Sequence, residues 1–281
     1  VDQGALPVLM EMAGSYDPKI RQNSVAALCE LTSCKDVKQQ MVDQGSVKAL
    51  VLTGLIRASE DDPETCTSCC KALYNLLSTE DRFDEIVQDG VVWALTAMLG
   101  LGRKMRELGI MGLCNIASHK LGREEMSNAN TLKALINLAT TRNPTLRPPN
   151  DIRAMCGTAL HNLACGSAKD YREAKNHDVV RANATDVAMG SEGAEVQVAR
   201  MPKQRDARSH LMIMTEYGAI RAFSDLAHLS DAGAKEVCTA ALAELAANDE
   251  TQEQFVVEGG LLSLVSLSLE EPDFVGTKVA W

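Results

Sequence analysis

A short pattern of polar and apolar residues returns along the chain. It reads MVDQGSVKAL at 41–50, IVQDGVVWAL at 86–95 and FVVEGGLLSL at 255–264. In each copy, apolar residues precede a polar turn, and further apolar residues follow at helical spacing. The central residues of six such copies are Gly4, Gly45, Gly90, Asn130, Gly218 and Gly259. Because glycine and asparagine best tolerate a left-handed backbone, we predict a tight break between two helices at each position.

A second element recurs between these breaks. It reads LCEL at 28–31, LYNL at 73–76, LCNI at 113–116, LHNL at 160–163 and LAEL at 242–245. Its central polar residues are Glu30, Asn75, Asn115, Asn162 and Glu244. From four of them the next break lies 15 residues on. Pro18 and Pro63 each follow an aspartate and lie 12 residues before the polar residue. This predicts a longer helix that begins with an aspartate N-cap and a proline in its first turn.

A repeat of roughly 40 residues, with a short first helix, a glycine break, a second helix and a longer third helix with Asn near its end, resembles the armadillo family. The resemblance implies an all-α fold, a right-handed α-solenoid of about five to six armadillo repeats with one continuous core. We predict units at about 1–41, 42–86, 87–126, 127–174 and 211–255, and a partial unit at 256–281. The pattern starts and stops inside a unit, with Pro272 opening a further third helix. We therefore expect an internal segment of a longer array, truncated at both ends.

One step between breaks, from Asn130 to Gly218, measures 88 residues and is about one repeat too long. Residues 175–210 form either a long insertion or a degenerate repeat. Ala182 and Thr185 stand where apolar residues are expected, and Pro202 would interrupt a third helix. We interpret the segment as an insertion, and we expect that residues 178–208 can be removed without unfolding the solenoid.

Composition narrows the class of protein. Hydrophobic residues make up 46% of the chain and aromatic residues only 4%, which is typical of packed helices. The net charge of −10 argues against broad nucleic-acid binding. No apolar run is long enough for a membrane span. Unpaired cysteines are typical of a reducing compartment, so we expect a cytoplasmic protein.

The nine cysteines, with CTSCC at 66–70, raise the question of a metal or catalytic site. Cys69, Cys156 and Cys238 each lie six residues before the polar position of their unit. One cysteine per repeat indicates a small packed residue, because a metal site needs several convergent ligands. We expect no metal, no cofactor and no catalytic residues.

The resemblance implies that third helices line a concave groove in which recurrent asparagines bind a partner. The candidate binding residues are the three asparagines and the residues four positions before them: Asn75, Asn115, Asn162, Lys71, Met111 and Thr158. We expect the amides to be exposed, so that replacing them costs little stability. Importin-α-like proteins carry Trp at those earlier positions, and its absence here argues against nuclear-signal binding.

A basic group lies beside these residues in sequence: Arg103, Lys104, Arg106, Arg142, Arg147 and Arg153. It is either solvated surface or a part of the groove. If it faces the groove, the partner is acidic.

The function predicted from this pattern is a non-enzymatic scaffold that binds a peptide or helix of another protein. One alternative is a structural component of a cytoskeletal or axonemal assembly, with a corresponding cytoskeletal or ciliary location. Another is an armadillo module similar to the myosin chaperones. All three use the same fold, so the fold does not choose among them.

Overall fold

The computed structural model describes residues 4–59, 62–128, 130–141, 148–188, 210–229 and 231–270. In these ranges all regular secondary structure is helical. The α-helices are α1 (Ala5–Ala13), α2 (Pro18–Leu31), α3 (Lys35–Asp43), α4 (Ser46–Ser59), α5 (Pro63–Leu76), α6 (Phe83–Gln88), α7 (Val91–Met98), α8 (Arg103–Ala117), α9 (Lys120–Asn128), α10 (Thr131–Thr140), α11 (Asn150–Ala188), α12 (His210–Glu216), α13 (Ala219–Ala227), α14 (Ala232–Ala247), α15 (Gln252–Val257) and α16 (Gly260–Glu270). A 3-10 turn at Glu80–Arg82 precedes α6.

These helices recur in a fixed order, and we define a unit as a first, a second and a third helix. A short first helix, a second helix and a third helix follow one another in α3–α5, α6–α8, α9–α11 and α12–α14. Helices α1 and α2 are the second and third helices of the first unit, and α15 and α16 open the last.

The units stack in two main layers. The third helices α2, α5, α8, α11 and α14 contact one another in that order, and so do the second helices α1, α4, α7, α10, α13 and α16. One cluster of buried side chains extends through every unit, from Leu6 to Leu267. The all-α solenoid predicted from the repeat is confirmed.

The helix breaks differ from one another in backbone conformation. Gly45, Gly90, Gly218 and Gly259 have φ values of +76°, +92°, +90° and +81°, as the prediction of left-handed breaks requires. The same prediction is wrong for Gly4, with φ −94°, and for Asn130, with φ −68°. Asn130 carries a Cβ, for which the right-handed region is the less strained one.

The predicted aspartate caps are confirmed. The carboxylate of Asp17 accepts from the N–H of Lys19 at 2.8 Å, and that of Asp62 accepts from the N–H of Thr65 at 3.2 Å. Both caps precede a proline in the first helical turn. Asp231 caps α14 in the same way, accepting from the N–H of Ala234 at 2.8 Å, without a proline.

The fourth unit departs from the expected boundaries. We expected its third helix to end before residue 175, but α11 continues for 39 residues to Ala188. The first part of the expected insertion is therefore a continuation of that helix, and residues 189–209 lie outside the described ranges. No proline or glycine interrupts the chain between Gly166 and Ala188, so nothing in the backbone ends the helix earlier.

The units on the two sides of this segment contact each other directly. A Cβ built on Gly157 of α11 would lie 3.2 Å from Cys238 Sγ of α14 and 3.2 Å from a methyl group of Leu226 in α13. On this close approach we propose that the segment is an insertion and not a degenerate repeat between the two units. The predicted helix at Pro272 lies outside the described residues, and none of the described helices is long and apolar enough to span a membrane.

Candidate partner-binding groove

The three cysteines that share one repeat position pack in the core as expected, whereas Cys34 is exposed. Cys69, Cys156 and Cys238 are fully buried, and all nine cysteines of the chain are free thiols. Burial raises the pKa of the Cys156 and Cys238 thiols to about 12. Within the described ranges, no group of three or more His, Cys, Asp or Glu side chains is placed to hold a metal ion.

The three candidate asparagines lie near the ends of adjacent third helices, and each is half-buried. Each amide donates to the preceding third helix. The acceptors are Thr32 Oγ1 at 2.9 Å for Asn75, Leu77 O at 3.3 Å for Asn115, and Cys114 O at 3.2 Å for Asn162. The expectation of exposed amides was wrong, because neighbouring units approach closely enough to use one amide hydrogen of each side chain. An amide has a second hydrogen and a carbonyl oxygen, which remain the groups through which it could bind a partner.

A cavity of about 540 Å³ opens in the third-helix layer between α5, α8 and α11. We call it the third-helix groove, and its lining residues are Lys38, Tyr74, Asn75, Ser78, Met111, Cys114, Asn115, Met155 and Thr158. It brings together four of the six candidate residues. The other two, Lys71 and Asn162, do not line it. Lys71 instead pairs with Glu30 at 3.2 Å, and this hydrogen bond raises the pKa of Lys71.

Lys38 is a groove residue that the repeat pattern did not indicate. It belongs to α3, and its Nζ donates to Asn75 O at 2.8 Å and to Ser78 Oγ at 2.6 Å. This places an ammonium at the C-terminal end of α5, where the helix dipole favours a cation. The sequence does contain a related pattern, a serine three residues after Asn75 and after Asn115. Ser78 and Ser118 donate to the carbonyls of these asparagines at 2.7 and 2.6 Å.

The predicted basic group does not form one surface. Arg103 is exposed and donates to Glu107 at 2.8 Å and to Asp151 at 2.9 Å, and Lys104 beside it is exposed. Arg106 donates to Leu99 O at 2.9 Å. Arg153 is only 4% exposed and donates to Ala139 O at 2.9 Å, which contradicts its place in an exposed group. Arg142 and Arg147 lie outside the described residues.

Two of those arginines belong to a structural position that sequence reasoning missed. Arg21, Arg106 and Arg153 are each the fourth residue of a third helix, nine residues before the polar position. Each donates to a carbonyl at the end of the second helix of its own unit, Arg21 through Nη1 to Ser15 O at 3.0 Å. The sequence shows the nine-residue spacing between each arginine and the polar position. It does not show the acceptors, because backbone carbonyls are present at every residue.

Two ion pairs hold buried arginine side chains, one between the first two units and one within the fourth unit. Arg21 donates to Asp62 Oδ2 through Nε at 3.0 Å and Nη2 at 2.7 Å, and both side chains are at least 90% buried. Burial alone would raise the pKa of Asp62, but hydrogen bonds from Arg21, Thr65 and Gln22 outweigh it and hold that pKa at about 2. A second pair joins Arg123 of α9 to Asp170 of α11 at 2.7 Å.

The comparisons with known proteins agree with this architecture. The Armadillo/beta-catenin-like repeat family matches residues 1–33. Among solved structures, a computationally designed armadillo repeat protein for modular peptide recognition aligns with a TM-score of 0.66 at 16% identity, covering 94% of this chain and 92% of that chain. The chain has the fold of an armadillo-repeat solenoid.

Other solved structures resemble this armadillo solenoid to a similar degree. A designed armadillo repeat protein in complex with the peptide (KR)4 has a TM-score of 0.63 at 16% identity, covering 94% of this chain and 91% of that one. An engineered protein has a TM-score of 0.63 at 19% identity, with 95% and 90% coverage. No curated protein matches the chain significantly. At these identities the likeness shows the fold, and the binding of a partner has to be argued from the groove itself.

Proposed function

We propose that this armadillo solenoid is a non-enzymatic scaffold that binds a segment of a partner protein along its third helices. The observation that carries the proposal is the third-helix groove, in which Asn75, Asn115, Met111 and Thr158 from three consecutive units line one cavity. Its volume of about 540 Å³ lies within the usual range for ligand sites, about 300–1,000 Å³. One designed protein of the same fold is in complex with a peptide and another was designed for modular peptide recognition, which supports a peptide as the occupant.

The finer features of the proposal follow from chemistry. Asparagine amides offer both a donor and an acceptor, which suits the backbone of an extended segment. Free thiols throughout the core suit a reducing, cytoplasmic setting. The net charge of −10 is unfavourable for phosphate backbones, so we take the partner to be a protein.

Site-specific photo-crosslinking tests the proposal. A benzophenone amino acid replaces Met111, which is 40% exposed in the groove, or Leu52 of α4, which is 53% exposed in the second-helix layer. In extract from cells that express the protein, we expect a discrete adduct from position 111 and none from position 52. Adducts of equal yield from both positions, or from position 52 only, would place the interface outside the groove. The identity of the adduct also separates the scaffold from the two alternatives, since a motor domain or an axonemal protein would be recovered as such.

A further inference from the structure

The Lys38 ammonium in the third-helix groove has an unusual set of partners. Its two recorded acceptors, Asn75 O and Ser78 Oγ, are both neutral. An ammonium has three donors, so one remains. Among the described residues Lys38 makes no ion pair, whereas Lys71 and Arg103 are both paired with carboxylates. Lys38 is therefore a half-buried cation at the wall of a cavity, and none of the described carboxylates pairs with it.

The rest of the wall is largely apolar and deformable. Met111, Cys114 and Met155 also line the groove, and Tyr74 adds an aromatic ring. Methionine side chains are unbranched and polarisable, so they adapt to the shape of an apolar group placed against them. At about 540 Å³, the cavity has room for a large side chain together with the backbone that carries it.

We propose that the groove selects an extended segment that carries a carboxylate beside a large apolar side chain. The carboxylate pairs with Lys38 Nζ, the apolar side chain packs on Met111 and Met155, and the amides of Asn75 and Asn115 bind the segment's backbone. This inference rests on the proposed function and adds the chemical class of the partner. A basic segment would instead bring a second cation against Lys38, which is unfavourable in a partly desolvated groove.

The test is a selection of random twelve-residue peptides displayed on phage against the immobilised full chain. Two variants are selected in parallel: Lys38→Met, which keeps the aliphatic stem, and Lys48→Met, a matched control at an exposed lysine of α4. Circular dichroism and melting temperature establish that both variants fold. We expect wild type and Lys48→Met to enrich peptides with Asp or Glu beside Leu, Ile, Phe, Tyr or Trp. For the best peptide we expect Lys38→Met to weaken binding roughly tenfold or more, since a hydrogen bond between charged groups is lost.

The outcomes separate this inference from the proposed function. One outcome is that the selected peptides bind Asn115→Ala more weakly than wild type, contain no excess of Asp or Glu, and bind Lys38→Met as tightly as wild type. That result would overturn the inference and leave the scaffold function standing. Peptides that bind Asn115→Ala, Met111→Arg and wild type equally would contradict both. A selection that enriches no peptide would overturn the inference, while the crosslink at position 111 would still decide the proposed function.

Discussion

Two aspartates of neighbouring units make the same cap but differ in their surroundings. Asp17 and Asp62 both accept from backbone N–H groups at a helix start, but only Asp62 also pairs with the buried Arg21. The pKa of Asp62 is about 2, below its ordinary value of 3.8. Because the folded pKa lies below the unfolded one, the stabilisation is present above about pH 4 and is lost as the pH falls towards 2. This difference in pKa corresponds to about 2 kcal/mol of folding stability.

We therefore expect Asp62→Asn to lower the free energy of unfolding by about 2 kcal/mol at neutral pH, because Asn keeps the cap but not the charge. Asp17→Asn is the matched control and should change it by less than about 0.5 kcal/mol. Urea unfolding at pH 7, 4 and 2.5 measures both. The difference in the free energy of unfolding between wild type and Asp62→Asn should become smaller towards pH 2.5. A constant gap across this range would show that the effect of Asp62 does not come from its charge.

The asparagines of the groove combine a structural bond with the proposed binding role. Because each amide donates to the preceding third helix, Asn75→Ala, Asn115→Ala and Asn162→Ala should each reduce stability by about 0.5–1.5 kcal/mol. The exposed Asn23 of α2 is the control and should have almost no effect when replaced by Ala. Denaturant midpoints check the stability of each variant. Binding of a groove peptide by the folded triple variant should fall well below that of wild type, and unchanged binding would move the interface off the asparagines.

At the scale of the helix, the left-handed breaks can be separated from ordinary glycines. Gly218 has φ +90°, and a Cβ there would meet no atom within 4 Å, so Ala at this position would add backbone strain without a clash. We expect Gly218→Ala to cost about 1 kcal/mol or more, and Gly218→Asn to cost less. Gly4, which has φ −94° and equally open surroundings, is the control, and Gly4→Ala should be neutral or slightly stabilising. Thermal unfolding of the variants compares them directly. Equal changes in stability at Gly218 and Gly4 would mean that the backbone angle φ does not determine what replacement by Ala costs.

The sequence could predict those features whose cause is local. A glycine break, an aspartate cap and a buried cysteine at one repeat position each depend on a few neighbouring residues, and the structure contains all of them. The features that it could not show depend on contacts between distant segments. Lys38 reaches the groove from α3, and Arg153 is buried because its guanidinium meets the carbonyl of Ala139. The repeat pattern places the end of the fourth unit at about residue 174, and it carries no information on a helix that continues beyond the repeat, as α11 does.

At the scale of the whole molecule, the first four units are tied to one another by polar bonds as well as by the core. Arg21 and Asp62 join the first two units, and the amides of Asn75, Asn115 and Asn162 join the second, third and fourth units each to the one before. All of these bonds connect nearest neighbours, as expected for a solenoid whose stability is a sum of unit and interface contributions. A segment that adds no interface between units should therefore add little to the stability of the array.

We propose that the segment between Asp170 and His210 is of this kind, because these two residues lie close to each other. Burial lowers the pKa of His210, while the charges of Glu124, Asp170 and Arg123 also act on it, so His210 lies near the Arg123–Asp170 pair. Helix α12, which begins at His210, contacts both α9 and α11. The units before and after the segment also contact each other through Gly157 and Cys238. The residues between Asp170 and His210 are therefore not needed to bridge a long distance between the two units.

We therefore expect that residues 178–208 can be replaced by an eight-residue Gly-Ser linker with a change in melting temperature of no more than about 2 °C. At about 1.5 Å per residue, helix α11 carries the chain only about 10 Å from Asp170 to residue 177, and eight extended residues span more than that. Asp170→Asn is the contrasting variant, because it leaves Arg123 buried without its carboxylate and should lower the melting temperature by several degrees. Differential scanning calorimetry of the three proteins measures both effects. A fall of about 10 °C or more in the deletion variant would show that the segment packs as a degenerate repeat against the fourth and fifth units.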